Sequence, residues 1–465
     1  MVLKSNTRES VRNRQIHPRT WLRNALQLKD FPENTPFGPE ITCSALPRSG
    51  RRHIVTGMNP LAYGLKAASS GFATGGEPQI LVSQYEEEEL MRYNRTLFRQ
   101  YGMLASFGVL ALSAALALTA PANAQQLISF NAPKAGAGAG QGTSAIGINL
   151  KGTITGTVKD SYNVTRGFVG TLKRGFRTFE APDADANVGG TYPVAINEFD
   201  VITGYSVDGN SVAHGFVRTP DGTITIFDMP NDAEPGGTYP AGINNLAAVV
   251  GVYLDANYTA HGFVRAAEGK ITTFDDPAGG SGPWQGTWPY NINDFGVIVG
   301  ATTYPDSSSH GLLRTLNGSY HDFEFPSETN WSSAYINDLG VIVGSYAQAP
   351  DTDLVAYRRT ADGKMTVLQT PGEGVTTDYE FEGTYVSAVN ILGATTGQVL
   401  NNDAELSAFV RDPEGKVPVF GYKDQAAVPG SYTGSAGLAI NAAGVVVGYW
   451  NDRNFATHGL VRLPK

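Results

Sequence analysis

The chain has 465 residues, 17% of them charged, with a net charge of −9, 55 glycines and one cysteine. A single cysteine excludes a disulfide framework, and no cysteine cluster, P-loop, H-E-x-x-H or G-x-S-x-G motif occurs. The charge is split: residues 1–124 hold 14 basic and 9 acidic residues, net +5, while residues 125–465 hold 20 and 34, net −14, a balance that argues against nucleic acid as a partner.

Residues 1–90 mix Arg, Pro, Gly and Ser without periodicity and contain the one cysteine, Cys43. Composition predicts disorder there, or an upstream extension that is not part of the translated protein. From Met91 the text changes. Arg92, Arg95 and Arg99 precede an apolar run from Met103 to Thr119, followed by Ala122-Asn123-Ala124. Basic region, apolar region and A-x-A site in that order predict a signal peptide over 91–124, cleaved to leave Gln125 first. An uncleaved membrane anchor is the alternative, and only then is a membrane a partner. A signal belongs at a start, so Met91 is the expected start. The run Glu86 to Glu89 fits a purine-rich ribosome-binding site ahead of it. The expected location is secreted, extracellular or periplasmic.

A lone strand, Ile128 to Pro133, comes next, and then Ala135 to Gly142, read as a flexible low-complexity link. Everything after it is one sentence repeated. Asn149, Asn197, Asn244, Asn293, Asn337, Asn390 and Asn441 recur at steps of 44 to 53 residues. Seven residues after each stands a glycine, from Gly156 to Gly448. Seventeen after each stands the first residue of an H-G-F-V-R phrase or its stand-in: Arg166, His214, His261, His310, Leu354, Ser407 and His458. Four further on is an arginine in six copies: Arg218, Arg265, Arg314, Arg358, Arg411 and Arg462. Each copy holds four short runs rich in Val, Ile, Thr, Tyr and Phe. Asn-x-x-Gly in five copies and Asp-Gly, Glu-Gly or Asn-Gly later in the repeat mark hairpin turns. Four antiparallel strands at this period make a propeller blade. The last copy stops after its third strand, and the lone strand at 128–133 supplies the missing fourth. The prediction over 125–465 is an all-β, seven-bladed β-propeller of four-stranded antiparallel blades, closed by an N-terminal strand completing the last blade.

At Gly242-Ile-Asn244 and His261-Gly-Phe263 the chain resembles the bacterial extracellular HAF-repeat proteins. The resemblance covers about residues 125–465, with Gly where the family name has Ala and the His lost from three copies. It implies an exported repeat protein and brings no catalytic residues.

The His set invites a metal, but one per repeat at one strand position spreads the rings instead of gathering them, so a hydrogen-bonding role is expected. The arginines are expected to bond carboxylates or carbonyls of a neighbouring blade, and the asparagines to shape turns. No catalytic or metal-ligating residue is predicted and no cofactor. Calcium is the one alternative, from the pattern Asp183-Ala-Asp185-Ala-Asn187, which lacks the rest of an EF-hand loop. The connections between repeats vary most and carry Tyr192, Tyr239, Trp284, Trp288, Trp331, Tyr385 and Tyr432. Aromatics beside acids and amides can stack on sugar rings or grip a peptide; packing between blades is the competing use. The sequence thus predicts a monomeric binding or structural module recognising extracellular glycan or protein through one loop face. A propeller-based hydrolase or polysaccharide lyase is the runner-up, since the fold hosts many functions.

Overall fold

The structure is a computed structural model, described here for residues 126–464 apart from 230–235, 326–328, 330–331, 349–352, 374–382, 402–404, 423–424 and 426–432. The signal segment, Cys43, Trp331 and Tyr432 lie outside the described residues. What is described is all-β, without a helix: a β-propeller-like array of four-stranded antiparallel units.

Repeat three shows the plan. Its strands are Gly237–Ile243, Val249–Leu254, Ala260–Arg265 and Ile271–Phe274, each antiparallel to the next. The chain then passes to repeat four, whose first strand, Gly286–Ile292, touches the third strand of repeat three through one parallel bridge, Ala260 with Gly286. The same bridge joins Thr165 to Gly190, Ala213 to Gly237, Leu354 to Gly383 and Leu406 to Gly434. Only glycine fits there. Gly237 has φ of 116°, and a Cβ on it would stand 2.6 Å from the Ala213 carbonyl oxygen. The threonine after it is buried, and its hydroxyl accepts an N–H from the end of the preceding fourth strand, as Thr238 does from Met229 at 3.0 Å.

The repeated phrase can now be read residue by residue. Gly262 lies under the Phe274 ring of the fourth strand, where a Cβ would meet the ring at 2.5 Å. Repeat six tolerates an alanine at the same position, where Ala408 pairs with Phe420. Phe263 is fully buried and reaches back to Gly251 of the second strand, where a Cβ would stand 2.6 Å from its ring. The arginines do not find carboxylates. Arg218, Arg265 and Arg314 lie over Phe179, Phe227 and Phe274 of the preceding repeat at 4.8, 5.1 and 4.5 Å, with each Nε lacking a hydrogen-bond partner among the described residues. The expected ladder of hydrogen bonds is thus a ladder of cation–π contacts. Burial holds Arg218 and Arg265 below the usual guanidinium range, so the ring face stands in for lost water.

Repeat five needs a one-residue correction. Gly344 pairs with Tyr357 as Gly204 pairs with Phe216, so Val355, not Leu354, holds the His position, and Arg359, not Arg358, the arginine position. An extra residue before its third strand shifts the count. Arg359 accordingly lies over Phe323 at 5.2 Å.

The asparagines do more than shape turns. Asn337 Oδ1 accepts N–H bonds from Leu339 and Val341 at 3.0 Å each, closing its own turn. Its Nδ2 donates to the Asn390 carbonyl at 2.8 Å in the next repeat. The same donation runs from Asn149 to Asn197, then to Asn244, Asn293 and Asn337, and from Asn390 to Asn441, at 3.1 to 3.2 Å. Asn441 donates to the Asn149 carbonyl at 3.0 Å and returns to the start.

The two chain ends of this region meet. Leu127–Phe130 pairs antiparallel with Thr457–Arg462, and Gly142 bridges Thr457 in parallel. Phe130 stacks on Phe176 at 4.5 Å, and Trp450 Nε1 donates to Ser129 Oγ at 2.8 Å. The link from Ala135 to Gly142 is not loose. Gln141 Oε1 accepts from Gly138 N at 3.0 Å, its Nε2 reaches Ser161 O and Asn163 Oδ1 at 3.3 Å, and Gly136 N donates to Lys159 O. A side-chain amide does what low-complexity composition hides.

Candidate functional site

The connections between repeats hold the predicted aromatics in three different ways. Tyr192, Tyr239 and Trp288 pack together with Tyr205. Tyr192 stacks on Tyr205 at 5.0 Å and Tyr239 meets it edge-on at 5.4 Å. Tyr239 is buried, its hydroxyl donates to Gly236 O at 3.1 Å, and burial pushes its pKa up to about 12. Burial, against a hydrogen bond with Thr165, does the same for Tyr192. Tyr385 is buried against Ala347 and Leu354. These four side chains join one repeat to the next.

Trp284 differs. It is 39% exposed, the most exposed of the predicted aromatics that are described. Its backbone has φ of 65°, a left-handed conformation that a bulky residue rarely adopts. Trp284 N donates to Tyr258 O at 2.8 Å, and the two rings lie 5.5 Å apart at 32°. Tyr258 is itself left-handed, φ 61°, in the turn opened by Asp255, whose carboxylate accepts Asn257 N and Thr259 N. Gln285 closes the loop from below: its Oε1 accepts Gly282 N at 3.0 Å and its Nε2 donates to Pro305 O at 3.0 Å. Thr259 Oγ1 donates to Ser281 O at 3.0 Å. The result is an exposed Trp284 ring fixed on Tyr258, which is half-buried against the cluster of Tyr205 and Tyr239, with amides and carbonyls around the pair. The left-handed position of Tyr258 recurs in the same turn at Asn163, Ser211, Ser307 and Phe455; the strain particular to this loop is at Trp284, where the matching loop has Gly140.

Sequence reasoning missed Tyr258 because it sits in the turn between the second and third strands, not in a connection. A signal was present. The turn reads Asp-x-Asn-Tyr where the neighbouring copy reads Asp208-Gly-Asn-Ser211, so the left-handed position carries an aromatic, as it does again at Phe455.

The His set occupies a second kind of station. His214 Nδ1 lies 2.8 Å from Asp228 Oδ1 and its Nε2 3.6 Å from Asp208 Oδ2. Burial lowers the His214 pKa, but the bond to Asp228 and the charges of Asp228 and Asp183 outweigh it, and the net shift is upward. His261 sits in the same way between Asp275 and Asp255, and His458 between Asn131 and Asp452. In repeat one Arg166 bridges Glu180 and Asp160. The station takes a histidine or an arginine where acceptors flank it, and repeats five and six place Val355 and Ser407 there instead. Tyr304 stands for the turn aspartate in repeat four, stacks on His310 at 4.1 Å and donates to Asp322 Oδ2 at 2.7 Å.

Among the described residues no group of three or more His, Cys, Asp or Glu is placed to hold a metal ion. Asp183 Oδ1 accepts from Ser206 Oγ at 2.8 Å, and Asp185 Oδ1 accepts Asn187 N and Val188 N, so the two aspartates of the calcium-like pattern serve a side chain and a turn. Asp322, pushed up to about 6 by burial and by Asp276, is the one strongly shifted carboxylate beside a His in the described residues.

No protein-family model matches the chain, and no curated protein matches it. Solved structures do resemble it. Virginiamycin B lyase from Staphylococcus aureus is 11% identical, with 73% of this chain and 100% of that chain covered and a TM-score of 0.47. The Aleuria aurantia lectin, solved with alpha-methyl-L-fucoside, is 13% identical over 66% and 98%, with a TM-score of 0.37. TolB from Acinetobacter baumannii is 7% identical over 68% and 80%, with a TM-score of 0.36. At these scores the likenesses carry no argument about ligand or reaction.

Proposed function

We propose that the chain is an exported binding module that recognises extracellular glycan or protein through the connection face carrying Trp284 and Tyr258. In this reading residues 125–465 form a closed seven-bladed propeller of the HAF-repeat kind, released by a signal peptide over 91–124. The cyclic run of asparagine bonds and the pairing of Leu127–Phe130 with Thr457–Arg462 support the closure.

One observation carries the functional reading: a tryptophan 39% exposed, held in a left-handed turn and packed on a second ring. A flat apolar face offered to water and unable to turn away loses little entropy on stacking with a sugar ring or an extended peptide. The bonds from Asp255, Gln285 and Thr259 supply the rigidity. An enzymatic reading has a weaker observation behind it: Ser308 Oγ lies 3.5 Å from His310 Nε2, but the hydroxyl donates to Asp306 Oδ1 at 2.6 Å, so its proton is aimed away from the ring.

The test is a glycan and polysaccharide binding screen of the exported protein, followed by Trp284→Ala on any hit. A ligand that binds the parent and loses at least about tenfold in affinity with Trp284→Ala, roughly the worth of one ring stack, supports the reading. A ligand that binds both forms equally overturns it.

A further inference from the structure

The arginine-on-ring contact recurs between successive repeats, and one seam breaks it. At five seams a third-strand arginine lies over the fourth-strand phenyl of the preceding repeat: Arg218, Arg265, Arg314 and Arg359 as above, and Arg462 over Phe420 at 5.3 Å. At a sixth, repeat one has Gly170 in place of the arginine, and Phe176 fills the space by stacking on Phe130. The seam between repeats five and six follows neither solution. Its arginine, Arg411, is present and half-buried. The ring is gone: Ala356 pairs with Leu368 where Gly215 pairs with Phe227. Among the described residues no aromatic lies under Arg411.

A cleft of about 490 Å³ lies at this seam, lined by Val367, Gln369, Pro371, Arg411, Gly415 and Val417. Two substitutions against the repeat mark it. Leu368 takes the buried place of the sister phenylalanines, 4% exposed, but offers Arg411 no ring face. Pro418 has no N–H to donate, and the fourth strand of repeat six is cut to Val419–Phe420, leaving Val417 outside it. The guanidinium therefore borders the cleft without a ring partner, with Val367, Pro371 and Val417 and the Gln369 amide around it.

We propose that this cleft binds a planar aromatic small molecule of one or two rings, its ring lying against Arg411 as a phenylalanine does in five sister seams. Val367 and Val417 flank the ring, and Gln369 takes a hydroxyl or carboxyl substituent. The volume exceeds one ring, which sets the upper size. The site shares no residue with Trp284 and Tyr258, so it stands or falls separately from the loop-face reading.

The experiment titrates the full chain with p-hydroxybenzoate and with 4-hydroxycyclohexanecarboxylate, which matches it in charge and substituents but is not planar. Calorimetry or ligand-observed NMR reads both. The aromatic probe is expected to bind about tenfold more tightly, the scale of a partly desolvated cation–π contact. Arg411→Leu is expected to erase that preference. Leu368→Phe is expected to abolish binding by giving Arg411 a ring of its own, and the sister pair Ala408 with Phe420 shows that an alanine opposite a phenylalanine is accommodated. Ala356→Gly with Leu368→Phe restores the pair found in repeat two and serves if the single change misfolds. Equal binding of the two probes, no binding of the aromatic at millimolar concentration, or undiminished binding by a folded Leu368→Phe protein would each overturn the proposal.

Discussion

Compare the two sides of each repeat. On one side the turn between first and second strands obeys a single rule in all seven copies: an asparagine caps its own turn or bonds the next repeat, and all seven donate onward. On the other side the connections differ in length and in what they hold, from the glycine loop closed by Gln141 to the same loop closed by Gln285 with Trp284 added. Repetition marks what the fold needs everywhere. Departures from it, at Trp284 and at Leu368, mark what the fold does not need, and those are the places to look for function.

The largest way to break this comparison is to remove the strand that joins the ends. Deleting Leu127–Phe130 removes a strand pairing, the Phe130 stacks and the Trp450 bond. It should cost several kcal/mol, on the order of a domain's marginal stability. Denaturant melts of the truncated and parent proteins check this, and an unchanged midpoint contradicts it.

Next is Asn337→Ala. Turn chemistry alone would put its cost at one hydrogen bond. Because the side chain makes two turn bonds and one to Asn390, the expected loss is about 2–3 kcal/mol. A loss under about 1 kcal/mol would reduce the asparagine to turn chemistry.

A smaller effect comes with a pH signature. In the residue after the asparagine, Asp338 accepts Asp294 N at 2.9 Å, and burial with the Asp294 charge pushes its pKa up to about 6. An unfolded aspartate titrates near 3.9. The folded chain thus holds more protons between those values, and stability falls as pH rises through the window, with the full penalty above pH 6. Asp338→Asn keeps an acceptor and removes the charge. It should stabilise by about 1 kcal/mol at pH 7, after allowance for solvent screening, and by nothing at pH 4. Equal gains at the two pH values would contradict the charge account.

Smallest is Ala247→Gly. Five copies place glycine at this left-handed turn position; Ala247, φ 57°, is one of two exceptions. Relief of the Cβ clash, offset by glycine's freedom in the unfolded chain, should raise stability by about 0.5 kcal/mol. Thermal melts suffice to see it.

Much of this was legible in the text. The asparagine period, the four runs per copy and the stranded N-terminal strand predict the pairings seen from Leu127 to Arg462. What was hidden was partnership across repeats. Nothing in H-G-F-V-R says that the arginine rests on a ring some forty residues earlier, because cation–π contacts leave no local spacing. The extra residue in repeat five hid Val355 and Arg359, since counting from an asparagine assumes equal turns. Of the seven nominated aromatics, Tyr192, Tyr239, Trp288 and Tyr385 pack between repeats and Trp284 stands out from them. Composition cannot separate those uses, because the same ring chemistry serves both.

The most direct test of the central claim measures two quantities on two variants: melting temperature and affinity for a screened glycan or peptide, for Trp284→Ala and Asn337→Ala. The account predicts that Trp284→Ala loses at least about tenfold in binding with a stability change within about 0.5 kcal/mol. Asn337→Ala is predicted to lose stability and keep its affinity below its own melting point. The reverse pattern, with Trp284→Ala binding normally and Asn337→Ala folded but unable to bind, would contradict the assignment of function to the connections and scaffold to the repeat.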